Sequence, residues 1–168
     1  MKNLALKLIV LFTILFLASC TAEDIDDNTN IVGLWKLTTW TIDIPVDLNN
    51  DNSFSINLLD EISCDNNETL VFDNKNIVSS NDTFNPNINI ALMSNEKYVF
   101  NVECAVGSIG FATSYSQINN SIIEFNNVEA TIIGNKLSWV YENAIKIYNE
   151  NFTEVVETKD LILIYTKQ

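Results

Sequence analysis

Length and charge already limit what this chain can be. It has 168 residues and a net charge of −13, with 22 acidic side chains against 9 basic ones. The length is that of one domain, and a surface this acidic repels nucleic acid and anionic lipid headgroups, which excludes both as partners. The chain has no His and no Arg, so the commonest general base and the usual phosphate clamp are missing.

The amino terminus predicts a cleaved lipoprotein leader. Lys2 and Lys7 form a basic start, residues 4–16 are almost entirely apolar, and residues 17–20 read Leu-Ala-Ser-Cys. That tetrapeptide resembles a lipobox, where a signal peptidase cuts before a diacylated cysteine. Residues 1–19 are then the signal peptide, and lipid on Cys20 anchors the mature chain to a membrane. Its net charge becomes −15, since the leader removes two of the 9 lysines and none of the 22 acids.

Two other interpretations of this leader are a transmembrane anchor and a plain secretory signal. The apolar run is shorter than the roughly 20 residues that span a bilayer, and a plain secretory signal does not need a cysteine after small residues. Residues 20–30 are acidic, small and polar, which predicts a flexible lipidated tether. Acids behind the lipidated cysteine resemble the surface-export signal of lipoproteins from the Bacteroidota. That resemblance implies an outer-membrane location with the domain outside the cell, whereas a solvated linker without sorting meaning is the alternative.

From Ile31 onward the apolar pattern is that of β-strands. Apolar residues alternate with polar ones in residues 97–104, 129–133 and 136–142, as in half-buried strands. Asn126-Asn127 and Gly134-Asn135 lie between such runs and predict tight turns. Residues 31–168 are therefore expected to form one all-β domain, an antiparallel up-and-down meander.

One stretch departs from this pattern and predicts a helix. Ile56, Leu59 and Ile62 recur at helical spacing, and Ser53 or Ser55 can cap the amino end. We expect a loop followed by a short helix after the first strand.

Two cysteines remain once Cys20 is lipidated. In an oxidising compartment Cys64 and Cys104 are expected to form a disulfide that closes a loop of about 40 residues. A metal site or two free thiols are the alternatives, but two cysteines without His make a poor zinc site.

The opening of the domain resembles a known family. Gly33-Leu34-Trp35 carries the Gly-x-Trp that opens the first strand of lipocalins, and an apolar strand, residues 161–167, closes the chain. With Cys64 and Cys104 between them, this order is similar to the lipocalin-like lipoprotein domains common in Bacteroidota. The resemblance implies an up-and-down β-barrel of eight or more strands, with Trp35 near its closed end. Lipocalins stack a basic side chain, usually Arg, on that tryptophan, and Lys167 or another lysine would have to replace it here.

The barrel interior is the first candidate site. Trp40, Tyr98, Phe100, Trp139 and Tyr141 are plausible lining residues for a small apolar ligand, whereas packing of the core is the alternative reading of the same residues.

Calcium is the second candidate. Asp47, Asn49 and Asp51 place oxygen ligands at alternating positions, as in the start of an EF-hand loop. Asn52 occupies the position of the Gly at the sharp turn of an EF-hand loop. Leu58 occupies the position of the acid that binds calcium through both of its oxygens. A polar turn is the alternative, and no metal or other cofactor is expected.

No catalytic set is recognisable in the sequence. A Ser-His-Asp or Cys-His arrangement is absent, so we do not expect an enzyme. The leading prediction is a membrane-anchored module of the cell envelope that binds or carries a small hydrophobic ligand. The alternative is a structural or interaction module of an envelope protein complex.

Overall fold

The computed structural model describes residues 30–168. The predicted signal peptide and lipidated Cys20 lie outside this range, as does the predicted tether up to residue 29. Within the described range, no helix is long and apolar enough to cross a bilayer.

The described chain folds almost entirely into β-strands, joined into one 11-stranded sheet. The strands are β1 Gly33–Val46, β2 Ser55–Asn57, β3 Thr69–Phe72, β4 Ile77–Ser80, β5 Asn87–Leu92, β6 Tyr98–Glu103, β7 Phe111–Asn119, β8 Ile122–Phe125, β9 Val128–Ile133, β10 Lys136–Asn149 and β11 Val155–Lys167.

Eight of these strands close into an antiparallel barrel. Their order around the ring is β1-β3-β4-β7-β8-β9-β10-β11, and β11 pairs with both β10 and β1, which closes it. The ring strands follow in chain order, with β2 inserted between β1 and β3 and the β5–β6 hairpin between β4 and β7, so the barrel is an up-and-down meander. The predicted fold class, an all-β barrel, is confirmed. Closure leaves the ring without a free edge.

The β5–β6 hairpin lies outside this ring and adds one parallel pairing to the antiparallel sheet. β5 pairs in parallel with the far end of β10, where Ile147 lies opposite Ile90. Both of these side chains are fully buried. The hairpin therefore extends the barrel wall beyond the ring, and β6 pairs only with β5.

The predicted short helix is not formed. Ser55–Asn57 pairs with β1 instead, and only one 3-10 turn follows it, Leu58–Asp60. The side-chain amide of Asn57 accepts a hydrogen bond from the backbone N–H of Trp40 at 3.0 Å. It also donates one to the backbone carbonyl of Thr38 at 3.1 Å. A segment this short gains little from a helix of its own, so hydrogen bonds to β1 decide its conformation. Its fully buried side chain is Leu58, whereas Ile56 is exposed.

A bulge in β1 changes which residues of that strand face the interior. Trp35 and Leu37 are buried, and the pairing with β11 then shifts between Leu37 and Thr39. One extra residue moves the inward set from odd to even positions, so Trp40 and Ile42 are buried next. Without this shift Trp40 would point away from the barrel interior.

The closed end of the barrel is built around Trp35. Its ring is fully buried, and its indole N–H donates to the carbonyl of Ile31 at 2.8 Å. Lys167 lies opposite Trp35 in the β1–β11 pairing, and its Nζ lies 5.5 Å from the centre of the Trp35 ring. The same ammonium donates to the carbonyl of Asn30. Lys167 thus occupies the place that the sequence suggested for a basic side chain over this tryptophan.

The predicted disulfide and turns are confirmed. Cys64 and Cys104 are bonded, with their Cα atoms 5.3 Å apart, and the bond links the segment before β3 to the end of β6. Asn126 and Asn127 join β8 to β9 with φ of 54° and 61°. Gly134 joins β9 to β10 with φ of 59°. These positive φ values suit two-residue hairpin turns, where Asn and Gly are favoured.

Candidate ligand-binding cavity

Large side chains fill most of the barrel, but a cavity of about 220 Å³ remains at the end opposite Trp35. We call it the mouth cavity. It is lined by Trp40, Glu68, Thr83, Phe84, Asn85, Phe111, Phe125, Asn126, Trp139, Tyr141, Leu161, Leu163 and Tyr165. Aromatic rings predominate in this wall, and its volume is below the range typical of drug-sized ligands.

Three adjacent strands contribute one row of side chains to the wall of the mouth cavity. In the strand pairing, Leu163 of β11 lies opposite Trp139 of β10 on one side and opposite Trp40 of β1 on the other. All three side chains are buried. Side chains on a common row and face of a sheet are direct neighbours, so the two tryptophans flank one leucine.

The rings contact one another in a continuous series. Trp139 stacks on Tyr165 with centroids 4.7 Å apart and planes tilted by 18°. Phe125 meets Trp139 edge to face at 5.4 Å, and Tyr141 does so at 6.4 Å. These are the preferred geometries of aromatic pairs, so the rings hold one another in place and the wall is formed before any ligand arrives.

One carboxyl group lies in this aromatic wall. Glu68 precedes β3 and its side chain is only 3% exposed. It accepts a hydrogen bond from the Tyr165 hydroxyl and another, at 2.8 Å, from the backbone N–H of Phe84. Burial raises the pKa of Glu68, and these two donors only partly oppose the rise. Burial beside this carboxyl also raises the pKa of Tyr165.

The wall also contains a donor without a partner. The indole N–H of Trp139 is buried and makes no hydrogen bond, the single such side-chain group in residues 30–168. Buried polar groups are nearly always paired. The wall of the mouth cavity therefore contains a carboxyl group and, buried behind its surface, one unpaired donor.

The structure separates the residues that the sequence had grouped as ligand contacts. Trp40, Trp139 and Tyr141 line the mouth cavity, whereas Tyr98 and Phe100 do not. Those two lie on β6, outside the ring, and the Tyr98 hydroxyl donates to Glu157 at 2.9 Å. The alternation that placed them on one strand face is observed, but that face belongs to the added hairpin.

Glu68 was not singled out from the sequence, although a signal for it exists. Leu70 and Phe72 are the inward residues of β3 and are buried. Glu68 stands two positions before Leu70, so in an extended chain its side chain points to the same face as Leu70 and Phe72. An acid with the parity of an apolar strand face is a candidate buried carboxyl.

The proposed calcium loop has its oxygens engaged within the loop. The Asp47 carboxylate accepts from the backbone N–H groups of Asp51 and Asn52, at 3.1 Å each. Asp51 in turn accepts from the N–H of Ser53 at 2.7 Å and from the Asn49 amide at 3.1 Å. This is the geometry of a polar turn. In residues 30–168 no group of three or more His, Cys, Asp or Glu side chains is arranged to hold a metal ion.

A second cleft, of about 330 Å³, lies beside the disulfide. Asp65 and Asp82 are among its lining residues, and it shares Thr83, Phe84 and Asn85 with the mouth cavity. Its walls are mainly polar and partly exposed. It is therefore a poorer site for an apolar ligand than the mouth cavity.

Comparisons with models of protein families, with curated proteins and with solved structures found no match to this chain.

Proposed function

We propose that this chain is a lipid-anchored, lipocalin-like lipoprotein of the bacterial outer membrane that binds or carries a small hydrophobic ligand in the mouth of its barrel. The observation that carries the proposal is the mouth cavity itself. Trp40, Phe125, Trp139 and Tyr141 line it, and a preformed concave site of this kind is typical of small-molecule binding.

The anchoring part of the proposal rests on the sequence of residues 1–20. A lipobox-like tetrapeptide ends at Cys20, and acylation there holds a protein at a membrane without a spanning helix. An acidic segment follows, as in surface-exported lipoproteins. The proposed location is the outer membrane, with the barrel facing outward.

A binding role is favoured over a catalytic one by the chemistry of the wall. Glu68 is the one acidic residue among those described as lining the mouth cavity, and no lysine is among them. General acid–base chemistry normally uses a pair of groups with separated pKa values. A single carboxyl suits recognition.

An interaction module of an envelope complex is the second candidate. It is favoured by apolar side chains in the loop between β6 and β7, where Val106 and Ile109 are both exposed. Such residues are typical of protein contact surfaces when they lie together. In this case the barrel would serve as a scaffold for the loop.

The first experiment is native mass spectrometry of the mature protein purified from its own host, followed by organic extraction. A small molecule at near-stoichiometric amount would support the carrier function and identify its chemical class. A clean apo mass, together with co-purifying envelope proteins, would favour the interaction module.

Anchoring is tested separately by metabolic labelling with a radioactive fatty acid. The wild-type protein should be labelled and should sediment with membranes, whereas Cys20→Ala should do neither. Labelling of both proteins would overturn the assignment of Cys20.

A further inference from the structure

Glu68 is a buried acid that lacks a basic partner. Its hydrogen bonds come from a phenol and a backbone N–H, both neutral. The one salt bridge in residues 30–168 joins Lys159 to Glu157 and does not involve it. A buried charge without a counter-charge is costly, and burial accordingly raises the pKa of this carboxyl. A bound cation would supply the missing charge.

The aromatic rings that line the cavity with Glu68 would also stabilise a bound cation. Trp40, Phe84, Trp139 and Tyr141 surround the cavity from different strands and loops. Ring faces attract cations, most strongly when water is excluded, and several rings around one space form the aromatic cage that recognises alkylated ammonium groups. A hydrated metal ion would leave these rings unused.

The charge of the whole protein acts in the same direction. A net charge of −13 raises the local concentration of cations and repels anionic ligands such as fatty acids. Asp82, close enough to raise the pKa of Glu68 by its own charge, adds to this potential at the cavity.

We infer that the ligand of the mouth cavity is a small organic ammonium ion with an apolar body, its positive nitrogen held between the Glu68 carboxylate and the rings of Trp40, Trp139 and Tyr141. This inference rests on the proposed binding function and names the chemical class of its ligand. Volume limits the size, since about 220 Å³ is smaller than a typical drug-binding pocket.

The test compares cations with uncharged molecules of the same shape. Choline is paired with 3,3-dimethylbutan-1-ol, and phenethylamine with 2-phenylethanol. Binding to the mature lipoprotein in detergent is followed at pH 7 by tryptophan fluorescence and calorimetry. We expect at least one cation to bind about tenfold or more tightly than its neutral counterpart, a difference of about 1.4 kcal/mol.

Two variants test whether the Glu68 carboxyl causes the preference for the cation. Glu68→Gln should weaken binding of the cation about tenfold or more and leave the neutral molecule nearly unaffected. Glu61→Gln is the matched control, because Glu61 is also buried and also accepts a backbone N–H, from Leu48 at 2.9 Å. It is not among the residues that line the mouth cavity, so it should bind like the wild type.

The outcomes distinguish this inference from the function on which it rests. Equal binding of cation and neutral molecule, or no loss in Glu68→Gln, would overturn the cationic ligand and keep the cavity as a binding site. No binding of either cation up to about 10 mM, a very weak affinity, would also overturn the cationic ligand, whereas the binding function itself is decided by the native mass spectrometry described above. The comparison of cation with neutral molecule uses wild-type protein, so it holds even if Glu68→Gln fails to fold.

Discussion

The Tyr165 hydroxyl donates a hydrogen bond to the Glu68 carboxyl inside the barrel, across a sequence separation of 97 residues. The bond joins the last strand of the ring to the segment that precedes β3. Glu68 also accepts a hydrogen bond from the backbone N–H of Phe84. One carboxyl therefore connects Tyr165 and Phe84, both of which line the mouth cavity. The stability and the binding properties of this end of the barrel therefore depend on the same side chain.

The stability of the wild-type protein should depend on pH through Glu68. Burial raises its pKa in the folded state above the ordinary value of 4.5. Below that value the carboxyl is protonated in both states. As the pH rises through the interval up to the raised pKa, the unfolded chain loses this proton first, so the free energy of unfolding falls. Glu68→Gln removes this contribution, and its stability relative to wild type should increase with pH over the same interval.

Urea unfolding of both proteins between pH 4 and pH 8 measures this difference. Acids that do not interact with Glu68 contribute equally to the two proteins and cancel in this difference. A difference that does not change with pH would mean that the folded-state pKa of Glu68 is ordinary.

A bulky side chain at the rim should block the mouth cavity. Asn85 is exposed and lines the cavity, so Asn85→Trp places an indole at the entrance without disturbing the core. We expect this variant to lose any small molecule that co-purifies with the wild-type protein, with little change in melting temperature. Asn101→Trp is the control, because Asn101 is exposed on β6 and does not line the cavity. Ligand retained at the wild-type level in Asn85→Trp would place the binding site elsewhere.

Reduction of the Cys64–Cys104 bond should destabilise the protein clearly. The bond closes a loop with a sequence separation of 40, which corresponds to about 4 kcal/mol on the chain-entropy estimate. For a domain of this size the melting temperature should fall by about 10 °C or more. Calorimetry with and without dithiothreitol measures the shift. The variant with both cysteines changed to Ala should melt at the lower temperature and should not respond to the reductant.

Removing the charge over Trp35 should weaken the closed end of the barrel. Lys167→Met keeps an unbranched apolar chain but loses the ammonium, which lies 5.5 Å from the ring centre and donates to Asn30. The expected loss is about 1 kcal/mol in the free energy of unfolding. Lys167→Arg, which keeps the charge, should lose less. Equal losses in the two variants would show that shape, and not charge, matters at this position.

Patterns in the sequence were enough to predict several of the strands, two of their turns and the disulfide. Alternation in residues 129–133 and 136–142 reflects one buried face, and Asn126-Asn127 and Gly134 supply the positive φ that tight turns require. The strands and turns depend on residues close together in the chain, whereas the disulfide followed from the two cysteines left after Cys20. The helix predicted from Ile56 and Leu59 fails because hydrogen bonds to β1 outweigh a weak local preference.

The composition of the cavity was decided by long-range contacts. Trp40 faces the interior only because a bulge shifts β1 against β11. Tyr98 and Phe100 have the right alternation but lie on a hairpin that pairs outside the ring. Glu68 becomes a buried carboxyl only when Tyr165 and Phe84 enclose it. The sequence by itself determined the strands with clear alternation and their two faces, since alternation is local. The tertiary structure decided which faces meet around the mouth cavity, because strand pairing joins residues far apart in the chain.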